Sequence, residues 1–264
     1  MEYRIDRIAN MKIITLNTWG GRAGKENLLA FFKKYKDATD LFCLQEIWSA
    51  PPEDMKWENA GGSKFAPDQT MMYGAKEISE LLPDHNSYFR PHFLDKYGLM
   101  VLVKKNLIVV EEGEEFVYRH KGYIPEGDAG GHARNIQYVT LDINGKPFTV
   151  VNFHGLWTGK GKTDSEDRIN QSKKILEFTE NLSGDFVLCG DFNLLPETES
   201  LKMFEVSGLR NLIKEYGVIS TRTSHYTKDV KYADYIFTTK GLDVKDFRVL
   251  PEEVSDHAAL LLEL

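Results

Sequence analysis

The chain has 264 residues, a net charge of −7, and 42% hydrophobic against 28% charged residues, the balance of an ordinary soluble globular protein and not of a disordered one. No apolar run approaches the roughly 20 residues that span a bilayer, and two cysteines build neither a disulfide framework nor a Cys-based zinc site. The acidic balance argues against a protein that grips long stretches of phosphate backbone through overall charge, while leaving room for a local basic cleft.

The N-terminus, "MEYRIDRIANMKIITL", carries early charges and no long apolar segment, so it reads as no secretory signal. Met11 opens the first clear strand, and either it is the natural start or residues 1–10 are a short leader. β-rich runs then follow in order: "KIITLNTW", "DLFCLQEIW", "GLMVLVKK", "LIVVEE", "NIQYVTLDI", "FTVVNFH", "DFVLCGDF", "DYIFTT" and "HAALLLEL". Many are almost continuously apolar, as strands covered on both faces are. Cys43 and Cys189 lie inside two of them and read as small buried hydrophobes, which points to a reducing cytoplasm. Asn144-Gly145 in "LDINGKPFTVV" signals a hairpin.

Helices fall between the strands. "GKENLLAFFKKYK" is amphipathic, "TDSEDRINQSKKILEFTENL" is the best helix, with Thr163 and Glu166 as a candidate capping box, and "ESLKMFEVSG" is closed by Gly208. The polar, glycine-rich stretch from Glu111 to Gly131 has no period and reads as a surface loop. Nothing resembles a repeat, a low-complexity tract or a linker, so residues 1–264 are expected to form one domain of packed sheets flanked by helices.

The apolar strands end in chemistry. Asn17, Glu46, His154, and Asp191 with Asn193 close strands, whereas Asp234 and the Asp256-His257 pair open them. Each alone has an ordinary reading as a strand end, a turn, a core histidine or a local ion pair. Glu46, among apolar neighbours, needs a partner, because an unpaired buried carboxylate is costly. If the strands share a sheet or two facing sheets, these groups converge on one rim, and Asp191 and Asn193, two apart, point the same way if extended. Hard oxygen donors with amides and imidazoles suit Mg²⁺ or Mn²⁺ and metal-assisted hydrolysis of a phosphate ester.

The motifs "LNTWG", "LQEIW", "NFHGLW", "GDFNLLP", "ADYIF" and "SDHAAL", in this order, resemble those of the endonuclease/exonuclease/phosphatase superfamily. The resemblance implies a four-layer α/β sandwich like that of deoxyribonuclease I, two packed mixed β-sheets flanked by helices. It implies Glu46 as the main Mg²⁺ ligand with Asn17 and Asp256 close to the ion, and Mn²⁺ as the alternative. Asp191 would orient or deprotonate the attacking water and Asn193 would hold that water and the phosphoryl group. His257 would donate to a non-bridging oxygen, kept in its tautomer by Asp234, with His154 as a second phosphate contact. The attack would be in line, with no covalent intermediate.

The match is weaker between Tyr88 and Arg134, where Tyr88 or Asp95 would support the site and Arg134 would reach a phosphate or simply be solvated. "HGLWTGKGKT" misses the phosphate-binding G-x-x-x-x-G-K-[ST] pattern because Leu156 stands where glycine is required. It reads as a rim loop in which Trp157, Lys160 and Lys162 contact substrate or only solvent. Arg168 and Gln171, three apart on the following helix, would position that loop. The substrate is a phosphoester, either nucleic acid or a small phosphorylated molecule. "LNTWG" is reminiscent of the sphingomyelinase-like branch, and a monomer is favoured. The rival reading is a catalytically inactive binding module of the same fold, which the completeness of the motif set opposes.

Overall fold

The computed structural model describes residues 10–53, 58–59, 63–64, 67–126 and 129–264. Nine of the ten residues that would form a leader thus lie outside the described residues. In chain order the strands and helices are β1 (Lys12–Asn17), α1 (Lys25–Tyr35), β2 (Leu41–Trp48), β3 (Glu58–Asn59), β4 (Ser63–Lys64), α2 (Gly74–Leu81), β5 (His85–Phe93), β6 (Tyr97–Lys104) and β7 (Ile108–Tyr118). They continue with β8 (Arg134–Ile143), β9 (Lys146–His154), α3 (Glu166–Glu180), β10 (Asp185–Asp191), α4 (Glu199–Val206), β11 (Arg210–Asn211), α5 (Leu212–Glu215), β12 (Asp234–Thr238), β13 (Asp246–Val249) and β14 (Leu260–Glu263).

Two six-stranded sheets result, ordered β13-β14-β1-β2-β6-β5 and β11-β12-β10-β9-β8-β7, with β3 and β4 as a separate small hairpin. Both large sheets are mixed: β1 runs parallel to β2 and β9 parallel to β10, the other neighbours being antiparallel. The strand alternation sorts side chains between two layers of core. Ile13, Leu41, Cys43 and Val101 of the first sheet meet Val139, Val150, Val187 and Cys189 of the second. Ile14, Phe42 and Leu102 point the other way and pack on Leu28 and Phe32 of α1 and Ile78 of α2. Ile175 of α3 and Phe204 of α4 cover the far face of the second sheet. This is the four-layer α/β sandwich expected from the motifs. Among the described residues no helix is long and apolar enough to cross a membrane.

Several local expectations are corrected. The stretch after Ile108 is strand as far as Tyr118, pairing with β8 through two bulges. Its glutamates hid it, because β7 is an edge strand and charge is how natural edges avoid unwanted pairing. Helix α3 is capped by Ser165, whose hydroxyl accepts from the Arg168 N–H at 3.3 Å, not by Thr163. Strand β5 was missed because Pro91 interrupts it next to a register shift. The Asn144-Gly145 hairpin is present, with φ of 57° and 82° at the two turn residues.

Between the sheets lies a polar network with no water access. The Gln45 Nε2 donates to Asn152 Oδ1 at 2.7 Å and to Thr15 Oγ1 at 3.1 Å. Asn152 Nδ2 donates to the carbonyls of Leu44 at 3.0 Å and Met100 at 3.4 Å. Gln45 and Asn152 are both 0% exposed. Such a buried network fixes register, with the Gln45 Oε1 alone of its amide atoms lacking a partner among the described residues. Asn152→Ala removes the donor to two carbonyls and the shortest contact of Gln45 Nε2, which keeps Thr15 Oγ1 and the Cys43 carbonyl as acceptors, and is expected to cost about 2–4 kcal/mol. Gln45→Leu added to it should cost less than its effect alone. Urea unfolding of the two single variants and the double variant measures both.

Candidate active site

Strand register brings the polar strand ends together. Asp191 at the end of β10 pairs across to His154 on the parallel β9 and to Asp234 on the antiparallel β12. Gly190 makes this possible: its φ is 135°, and a Cβ there would lie 2.0 Å from the Phe153 carbonyl oxygen of β9, so only glycine fits. Asn193 shares the cleft with Asp191 through a turn and not through extended alternation. Its φ is 55° and its backbone N–H donates to Asp191 Oδ1 at 2.8 Å.

On the facing sheet, Glu46 sits within β2 instead of ending it, at a bulge where the pairing with β6 slips between Leu44 and Ile47. Its φ of 60° is a costly backbone state for a residue with a Cβ, and the bulge aims its side chain into the cleft. Asn17, at the end of β1, joins the sheets: its Nδ2 donates to Glu46 Oε1 at 3.1 Å and to Asp191 Oδ2 at 2.9 Å, while its Oδ1 accepts from the Trp19 N–H at 3.0 Å. Asn17 thus presents donors to both carboxylates, and its own oxygen is taken by the backbone.

Asp256 and His257 precede β14 instead of opening it. His257 Nδ1 lies 2.8 Å from Asp234 Oδ2, and its Nε2 lies 3.6 Å from Asp191 Oδ2. His154 Nε2 approaches the same oxygen at 3.6 Å. Asp191, Asp234 and His257 form the one group among the described residues whose ligand atoms converge closely enough to hold an ion. The Asp234–His257 bond occupies two members of that group, which makes it a hydrogen-bonded triad. The better oxygen set lies beside it, in Glu46 and Asp256.

Electrostatics divide these groups. Burial alone would raise the Asp191 carboxyl, but His257, Lys162 and His154 pull it well below the usual carboxylate range. Burial raises Glu46, and Asp256 adds to it against Arg22 and the Asn17 amide. Burial and Arg222 push His257 down, but Asp234, Asp256 and Asp191 outweigh them and raise it. His154 goes the other way, held well below the ordinary imidazole range by burial and by Arg134.

The cleft has a volume of about 320 Å³. Of the substrate contacts expected from sequence, Arg134 and Trp157 line it. Arg134, 2% exposed at the start of β8, leaves Nε and Nη1 without partners. Tyr88 does not line it: it lies half-buried in β5 against the core, and Tyr97 of β6 faces the cleft instead. Asp95 is exposed in the β5–β6 turn. Lys160 is exposed and borders a neighbouring hollow with Arg119 and Tyr123, whereas Lys162 is buried and lines the cleft. Arg168 and Gln171 hold the loop, through Arg168 Nε to Leu156 O at 3.2 Å and the Leu156 N–H to Gln171 Oε1 at 3.1 Å.

Three contributors gave no sequence signal. Arg222 donates to Asp256 Oδ2 at 2.9 Å and lies 4.0 Å from the Tyr226 ring centroid. His132 lines the cleft and His92 stacks on it at 4.9 Å. Burial and Arg134 hold both neutral, His92 at about 3.

A family model described as the Endonuclease/Exonuclease/phosphatase family matches residues 14–257. No curated protein matches the chain by sequence. Among solved structures it is similar to an endonuclease/exonuclease/phosphatase family protein from Bacteroides thetaiotaomicron, with 18% identity, 97% of each chain covered and a TM-score of 0.69. It is also similar to the mannosyl-6-phosphatase of that organism, with 17% identity, 96% of this chain and 98% of the other covered, and a TM-score of 0.66. The human nocturnin catalytic domain with bound sulfate shows 18% identity over 97% of this chain and 93% of the other, with a TM-score of 0.64.

Histidine-ring NMR tests the electrostatic division. His92, His132 and His154 should stay neutral well below the ordinary imidazole range, while His257 titrates above it and Asp234→Asn lowers it. Below about pH 6.5 the unfolded chain takes up protons that the three neutral rings refuse, so their contribution lowers stability as pH falls. The His257 contribution is full below about 6.5 and is lost as pH rises through its own higher value. A His92 or His132 ring titrating near 6.5 in the folded protein would contradict this.

Proposed function

The chain belongs to the endonuclease/exonuclease/phosphatase family, and from that premise we propose that it is a divalent-metal-dependent hydrolase of phosphoric esters. The observation that carries the reading is the meeting of Glu46, Asn17, Asp191 and His257 from both sheets in one cleft. An inactive binding module has no need to hold these groups in register.

The donor set fits Mg²⁺ or Mn²⁺. Glu46 and Asp256 offer hard carboxylate oxygens, and the carboxyl of Glu46 is raised by burial and by Asp256, the condition a cation relieves. Glu46 and Asp256 would hold the ion, with Asn17 fixing the Glu46 carboxylate. When bound, the ion supplies Lewis-acid polarisation of the phosphoryl oxygen and offsets charge there.

The protein's own groups do the rest. Asp191, held ionised and lining the cleft, orients the attacking water. A carboxylate so far below neutrality is a weak base in the ground state, so it takes the proton only as the bond to phosphorus forms. Asn193, fixed by the turn to Asp191, lies beside that water. His257, whose protonated form is favoured by its carboxylate neighbours and whose ring is oriented by Asp234, donates from Nε2 to a non-bridging oxygen. His154, neutral, donates to a second phosphoryl oxygen, and Arg134 brings two uncommitted N–H groups to the phosphate. Trp157 lies at the wall, where the remainder of the substrate rests.

Asp191→Asn should lower kcat by about 10³-fold or more on any accepted phosphoester while the variant still folds, with a lowered thermal midpoint because a carboxylate stabilised in its ionised form is lost. Near-wild-type turnover by this variant would remove Asp191 from the chemistry. EDTA should abolish activity and Mg²⁺ or Mn²⁺ restore it; full activity in EDTA would refute the metal requirement. A panel of phosphomonoesters, phosphodiesters, single-stranded nucleic acid and lipid headgroups is the assay for both.

A further inference from the structure

The loop between β9 and α3 holds a lysine in a place that general phosphoester hydrolysis does not demand. Lys162 is 6% exposed and lines the cleft, yet its ammonium has no hydrogen-bond or ion-pair partner among the described residues. Lysines normally keep the charged head in water, and a buried, unpartnered ammonium is among the most unfavourable placements a fold can hold. Burial pushes this one down to about 8, with Asp191 pulling it back, so it is cationic at neutral pH.

The loop is built to keep it there. Arg168 of α3 donates to Gly161 O at 3.0 Å and also to Thr163 O, the carbonyls on either side of Lys162. The Lys162 carbonyl itself accepts from the Leu195 N–H at 2.9 Å. Gly159 and Gly161, with φ of 69° and 92°, supply the left-handed turns that let the chain reverse and send the side chain inward. A position this constrained is pre-organised.

Lys162 has a counterpart in Arg134, buried, with two N–H groups unpartnered. Arg222, by contrast, is committed to Asp256. Lys162 and Arg134 line the same cleft as Asp191, Asn193 and His257, which places both at the reacting position. A phosphodiester brings one negative charge and two non-bridging oxygens. A terminal phosphate near neutrality brings close to two charges and three oxygens. The cleft volume of about 320 Å³ is at the small end for ligand sites and suits a compact molecule better than a polymer.

We propose that Lys162 and Arg134 form a receptor for a terminal phosphate dianion, so that the substrate class is a small phosphomonoester and Lys162 is the residue that selects it over diesters. This rests on the phosphohydrolase reading above. It goes further in naming which ester is cleaved and in giving Lys162 a role apart from the carboxylates and His257.

The test compares para-nitrophenyl phosphate with methyl para-nitrophenyl phosphate, each with Mg²⁺ and with Mn²⁺. Lys162→Met should lower kcat/KM on the monoester by roughly 10²-fold and cut the monoester-to-diester ratio by about tenfold or more. Lys162→Arg should recover most of that ratio. The thermal midpoint of Lys162→Met should be equal to or above wild type, because an uncompensated buried charge is gone. Equal losses on both esters, or a fall in the midpoint that accompanies the loss, would assign Lys162 to loop structure and overturn the proposal. Wild-type protein that turns over neither ester would sink the hydrolase reading instead. The receptor is then judged by calorimetry with inorganic phosphate, where Lys162→Met must weaken binding at least about tenfold and unchanged binding overturns it.

Discussion

Two carboxylates from different sheets meet in this protein across a single amide. Asn17 donates to Glu46 at 3.1 Å and to Asp191 at 2.9 Å, and it is 0% exposed. Without it, two buried negative groups would face each other with no donor between them, which low local polarity makes expensive. The amide is fixed from behind by the Trp19 N–H on its oxygen, and the Asn17 carbonyl accepts from Ser255 Oγ at 2.7 Å. Through Ser255 the same residue anchors the segment carrying Asp256 and His257. The cleft therefore exists in its observed form only if β1 and β10 are aligned to within a hydrogen bond. The Gln45–Asn152 network deeper in the same interface enforces that alignment.

Much of this was legible in the sequence because it rests on simple patterns. Continuous apolar strands pointed to packed sheets flanked by helices, the family resemblance implied the four-layer sandwich, and carboxylates, amides and imidazoles at strand ends marked the rim. What the pattern could not give was direction. Glu46 looked like a strand end and is a bulge within a strand; Asp191 and Asn193 looked like alternation and are a turn. Both depend on a left-handed residue that no local preference specifies, since Glu46 adopts φ of 60° only under tertiary constraint. Strand β7 was hidden for the opposite reason, its edge being deliberately polar. Arg222, Tyr97, His92 and His132 come from segments with no rim motif. They reach the cleft through long-range packing, so nothing near them in the chain announces it. Tyr88 and Lys160 were plausible contacts, but Tyr97, at the far end of the paired strand opposite Phe93, and Lys162, two residues on, are the ones that line the cleft.

Four buried imidazoles show how far environment overrides residue type. His92, His132 and His154 sit near the Arg134 guanidinium and are held neutral. His257 sits between Asp234, Asp256 and Asp191 and is held toward the charged form. The rim is thus divided into a face where imidazoles serve as neutral donors and a face where one carries charge, with Asp191 between them at 3.6 Å from each of His154 and His257. A protein that needs one general orientation for a reacting anion gains from this asymmetry, because neutral and charged donors on opposite sides define a direction for developing charge.

The placement of cations follows the same logic one layer out. Arg222 is balanced by Asp256 and stacked near Tyr226, so its charge is already used in holding the carboxylate's orientation. Arg134 and Lys162 are desolvated by the fold and balanced by no direct contact. Folding alone does not favour such groups, and the fold spends considerable loop structure, from Arg168 to the two glycines, to keep Lys162 where it is. Interactions that destabilise the empty cleft but are satisfied by an anion raise the binding of that anion by the amount they were left unsatisfied. The arrangement is therefore one in which the charge of the substrate completes the charge balance of the site, and a phosphate with two charges completes it better than a phosphate with one.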